Sequence, residues 1–151
     1  MSYDLMVFKK EAAPLKRVDF MQWYNAQAEW GEDHGYDDPA NTSAELRNWF
    51  MEVIKTFPAM NGPYSNPDDG NENVSDYCIG REVIYVAFGW PVAEQAYIKM
   101  FELAEKNGVG FFDVSSDIGG IYFPGINGEL KAIDGHENTS ADIKKPWWKF
   151  W

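Results

Sequence analysis

Residues Val74 to Val114, VSDYCIGREVIYVAFGWPVAEQAYIKMFELAEKNGVGFFDV, decide the fold. Two runs rich in strand-forming residues, Val74–Ile79 and Glu82–Phe88, flank Gly80 and Arg81, and this arrangement predicts a β-hairpin. Pro91 suits the first position of a helix, where a missing N–H costs nothing. Val92, Ala96, Met100, Leu103 and Ala104 then keep the helical period until Asn107 and Gly108 close it. Val109–Val114 follows as a near-continuous apolar run, the pattern of a strand buried on both faces.

Working outward, Tyr3–Phe8 reads as an opening strand ended by Lys9, Lys10 and Glu11. Phe20, Trp23, Tyr24 and Ala28 recur at helical spacing, with Asp19 and Gln22 in capping-box positions, and this helix ends near Trp30 and Gly31. Glu32–Asn41 has no periodicity and reads as a loop. Thr42 and Glu45 form a capping box for a second helix, whose stripe Leu46, Trp49, Phe50, Val53, Ile54 and Phe57 stops at Pro58. Pro58–Asn73 is a long loop, a length that is uncommon unless the loop has a role. Gly120–Phe123 is a short strand, and Asn127–Gly128 between Ile126 and Leu130 is a hairpin signal.

The order β, α, α, β, β, α, β with short final strands predicts an α+β fold: a mainly antiparallel sheet with helices on one face. It is a ferredoxin-like (split βαβ) variant with an extra helix, one domain over residues 1–151 that ends in a Trp-rich segment, 143–151. The alternative is a sheet whose last strands form a ribbon of their own.

A net charge of −11 and a pI near 4.5 exclude direct nucleic-acid binding, which needs bases to neutralise phosphate, and disfavour an anionic membrane surface. No apolar run approaches the roughly 20 residues of a membrane span. The opening residues lack the features of a secretory signal, and Cys78 is the lone cysteine, so a cytoplasmic protein is expected. Aromatic residues make up 17% of the chain, more than can be hidden cheaply.

Between residues 29 and 76 lie eleven acids and two bases, which hold nine of the eleven net negative charges. Such a concentration serves solubility or docks a basic partner. The docking reading selects Glu32, Asp33, His34, Asp37, Asp38, Asp68 and Asp69 for the charged face, with Trp30, Tyr36 and Tyr64 as central contacts. A rival reading uses His34 and its neighbouring carboxylates to bind a metal or small ligand or to act as acid and base, although the spacing fits no zinc template and His136 is far away. Asn66–Asn73 and the run from Asp113 to Gly120 both depart from a calcium loop, and the second reads as an Asx or Ser turn. No catalytic motif is present, so no catalytic residue, cofactor or metal is assigned. The tail residues Trp147, Trp148, Phe150 and Trp151 fit either a last core strand or a partner anchor.

The segments Ser2–Phe8, Trp30–Pro39, Leu46–Phe50 and Phe111–Ser115 resemble small acidic bacterial proteins of the immunity type, which accompany toxins delivered between cells. The resemblance covers residues 2–115. It implies a cytosolic protein that binds and neutralises a basic toxin domain such as a nuclease, and it brings no catalytic residue with it.

Overall fold

The structure is a computed structural model that describes residues 2–65, 72–116 and 119–133. Asp68, Asp69 and the Trp-rich segment 143–151 lie outside the described residues. Within them are six strands and three α-helices: β1 (Tyr3–Phe8), α1 (Arg17–Gln27), α2 (Ala44–Val53), β2 (Asp76–Ile79), β3 (Val83–Phe88), α3 (Ala93–Asn107), β4 (Gly110–Phe112), β5 (Ile121–Pro124) and β6 (Leu130–Ala132). The strands form one sheet in the order β2-β3-β1-β4-β5-β6, with every neighbouring pair antiparallel. β4 pairs with β5, so the last strands extend the main sheet instead of forming a separate ribbon.

The sheet has a core on each face, because β1 is apolar at successive positions and its side chains alternate across the pleat. Tyr3, Leu5 and Val7 pack with Leu46, Trp49 and Phe50 of α2 and with Ala96, Met100 and Phe101 of α3. Met6 and Phe8 pack on the opposite side with Phe20 of α1. The expectation of helices on one face therefore holds for α2 and α3, while α1 covers the other. A sheet filled on both sides also absorbs much of the aromatic content, largely in tilted and edge-to-face pairs. Phe8 alone meets Phe20, Trp23 and Phe123 at centroid distances of 5.1, 5.9 and 5.1 Å. Gly110 makes room for that ring, since a Cβ there would sit 2.2 Å from it.

All three helix starts differ from the sequence reading, and α2 ends at Val53, short of the stop expected at Pro58. α1 begins at Arg17 behind Lys16, which makes no side-chain cap, and Asp19 lies in the first turn, where a negative charge suits the helix dipole. α2 is capped by Ser43, whose Oγ accepts the Leu46 N–H at 3.4 Å. Thr42 turns instead toward the β2–β3 connection and donates its hydroxyl to the Arg81 carbonyl at 3.2 Å. Pro91 lies in a short 3-10 turn, Trp90–Val92, ahead of α3, and Gly108 closes α3 at φ +68° as its position predicts.

Placing α1 and α2 on opposite faces has a consequence for the chain between them. Residues 28–43 must pass around an edge of the sheet, and they pass around β2. The Ile79 N–H on that strand donates to the Tyr36 carbonyl at 2.7 Å. At its other end the Ser75 N–H donates to the Pro58 carbonyl and the Met60 N–H to the Ser75 carbonyl, both at 2.9 Å. The two loops read as acidic from sequence thus screen an edge whose open amides would otherwise invite pairing with another chain.

Candidate functional site: an acidic face along the sheet edge

The first loop is built around Tyr36. Trp30 takes a left-handed conformation, φ +50°, that turns the chain out of α1. Its ring lies edge-on to Tyr36 at 5.2 Å and to Tyr85 of β3 at 6.4 Å. The Tyr36 hydroxyl accepts the Glu32 N–H at 2.7 Å and donates to the Glu32 carbonyl at 3.2 Å, closing residues 32–36 into a ring. Glu32 Oε1 accepts the Arg81 backbone N–H at 3.0 Å and also faces His34 Nε2. The other ring nitrogen, Nδ1, lies 2.6 Å from the Gly35 carbonyl. The Gly35 carbonyl and, after it, the Glu32 carboxylate hold His34 above its ordinary value, against the opposing effects of burial and of Arg81.

Further contacts fix the rest of the loop. Asp38 caps the turn Pro39–Asn41 by accepting the Ala40 N–H at 2.9 Å. Arg47 of α2 donates to the carbonyls of Pro39, Ala40 and Thr42 at 3.1, 3.5 and 3.0 Å. The second loop lies directly against the first. Gly62 sits at φ +92°, and a Cβ on it would fall 2.1 Å from the Asp37 carbonyl oxygen, so only glycine permits the contact.

The candidate residues divide by what they touch. Glu32, His34 and Asp38 are used inside the loop, and the half-buried Trp30 and Tyr36 serve at least partly to hold it. Asp33 and Asp37 point to solvent. Asp33 meets the Arg81 guanidinium at 2.7 Å, but its side chain is 90% exposed, and a pair in that position contributes little. In the adjoining loop Met60 and Tyr64 are 50% and 47% exposed, with the Tyr64 ring 6.3 Å from Phe50. Sequence reading missed Met60, Arg47 and Arg81. The turn position of Arg81 between two strands was visible, yet its partners Glu32 and Asp33 lie 49 and 48 residues away in the chain.

Chemistry elsewhere is muted. Among the described residues no three His, Cys, Asp or Glu side chains are grouped to hold a metal ion. Burial, aided by Asp76 and Glu32, pushes the Cys78 thiol up to about 11, so it is protonated at neutral pH and a poor nucleophile. Asp113, at the end of β4, is 5% exposed and accepts the Tyr3 hydroxyl at 3.0 Å. Burial pushes its carboxyl up to about 7, against the lowering effect of its bonds from Tyr3 and Ser116. Ser116 forms the expected turn, its hydroxyl donating to the Asp113 carbonyl at 3.4 Å and accepting the Gly119 N–H at 2.9 Å.

In comparisons with known proteins, no family model, no curated protein and no solved structure matches the chain. Among the described residues no helix is long and apolar enough to cross a membrane.

Proposed function

We propose that this chain is a docking protein whose acidic loop face along β2 binds a basic protein. In this reading it acts in the cytoplasm as an immunity protein that neutralises a basic toxin domain, such as a nuclease with a positively charged substrate channel. One observation carries the proposal: the loop backbone is held by Tyr36, Glu32 and Asp38 and by Arg47 of α2, while Asp33 and Asp37 stay exposed and the adjoining loop, which meets Asp37 through Gly62, exposes Met60 and Tyr64. A preformed loop loses little conformational freedom on binding, and exposed acids beside an aromatic and a thioether offer a basic partner both steering and contact area. Using His34 as a metal ligand or acid–base group has less behind it, since both its ring nitrogens already face oxygens. We also read the fold as a split-βαβ variant. The order β2-β3-β1-β4 supports this, as do crossover helices α2 and α3 on one face, with α1 as the added helix.

The test is co-expression with a basic toxin domain encoded beside this chain. A copurifying complex and loss of toxicity are expected. A domain that stays equally toxic and unbound overturns the reading.

A further inference from the structure

His34 sits where the acidic loop meets the β2–β3 connection, and its two ring nitrogens face two oxygens. Nδ1 is 2.6 Å from the Gly35 carbonyl and Nε2 faces Glu32 Oε1. A carbonyl and a carboxylate only accept hydrogen bonds, and a neutral imidazole has one N–H to give, so the imidazolium alone satisfies both contacts. Removing its proton leaves one nitrogen lone pair opposite an oxygen. The same Glu32 oxygen accepts the Arg81 N–H, and Tyr36, two residues beyond His34, holds Ile79 of the edge strand. The ring is therefore part of the joint between loop and sheet.

Resting on the docking reading above, we propose that protonated His34 latches the acidic loop onto the sheet edge, and that loss of its proton loosens the loop and weakens docking of the basic partner. The charged groups around the ring are Glu32 on its own loop, Arg81 from the β2–β3 connection, and Asp33, which Arg81 holds. Asp37 lies beyond Gly35, with Oδ1 3.6 Å from where a Cβ would stand, and the Tyr36 ring is 4.9 Å away. Helix α2 contributes Arg47 at the far end of the loop, on the carbonyls of Pro39, Ala40 and Thr42. Because the folded state raises the affinity of His34 for its proton, the latch is fully closed below the ordinary histidine value of about 6.5. It opens as pH rises through the higher folded-state value.

The experiment is nuclear magnetic resonance on the full chain labelled with 15N, from pH 6 to 9. Imidazole nitrogen shifts follow the protonation of His34, and amide exchange gives protection factors for Ile79 and Arg81. Those factors are expected to fall about tenfold as His34 loses its proton, the loss of one charge-assisted hydrogen bond. In His34→Gln and His34→Asn they should be lower from the start and independent of pH. Wild-type protection that stays constant while His34 titrates overturns the latch. Affinity for the basic domain, measured over the same range, is expected to fall in the wild type and stay level in His34→Gln. A latch that opens while affinity stays constant overturns the regulatory half of the proposal and leaves the docking reading standing. Absence of binding at every pH sinks the docking reading and the regulation with it, while the exchange data still decide the latch.

Discussion

Asp113 carries a carboxyl into the core at the end of β4, with the Tyr3 hydroxyl as its donor. Burial moves it from an ordinary value of 3.8 to about 7, so between those values the folded chain holds a proton that the unfolded chain has lost. Its contribution to stability is therefore largest below about pH 4, falls as pH rises toward 7, and levels off above that. Asp113→Asn keeps an acceptor for Tyr3 without the charge. It should remove this slope and stabilise the protein at pH 8 by roughly 1–3 kcal/mol, read as the difference in urea midpoints between pH 5 and pH 8. Equal slopes in the variant and the wild type contradict the assignment. Gly110 makes a second prediction at this scale: a methyl 2.2 Å from the fully buried Phe8 ring forces that ring and the aromatics packed on it to shift. Gly110→Ala should cost about 1–3 kcal/mol, measurable by thermal or chemical unfolding, and a neutral effect would mean that the cluster has slack.

At the level of elements, much of the architecture was legible because it is written locally. The stripe Leu46, Trp49, Phe50 and Val53, the Gly108 stop and the paired strands around Gly80 and Arg81 all follow from periodicity and turn chemistry within a few residues, although the helix ends at Val53 and Phe57 is buried beyond it. The face that α1 covers was not legible in α1 itself. It depends on β1, where Leu5, Met6, Val7 and Phe8 are apolar in succession and so demand cover on both sides. The α2 cap was misread for a related reason. Thr42 and Ser43 both suit the cap position, and what decides between them is a hydrogen bond from Thr42 to Arg81, 39 residues away. Ser43→Ala should therefore cost about 1 kcal/mol through the helix, by chemical unfolding. For the candidate site, the acidic composition of the loop was plain, but not which acids it consumes. Glu32 is used up by a contact to Arg81, 49 residues away, that appears only once the loop wraps the edge of β2, and Asp38 by a local cap on the turn that follows it.

Across the whole molecule, charge and topology coincide. The helices on opposite faces oblige the chain to round the β2 edge, and the loop that does so carries Asp33 and Asp37 outward, next to the loop of Met60 and Tyr64. The exposed acids should act chiefly on encounter, because charges at the rim of an interface alter association rate and salt dependence more than contact strength. Asp38→Lys is a poor probe, since it also removes the cap on Pro39–Asn41. Asp33→Lys with Asp37→Lys leaves the internal bonds of Tyr36 and Glu32 in place. The most direct measurement is the association rate constant of this double variant and of the wild type with the basic domain encoded beside the chain, taken by stopped flow across a range of salt. Docking through this face predicts association at least about tenfold slower for the variant at low salt, with the two rates converging as salt rises. Equal rates at every salt concentration would contradict it.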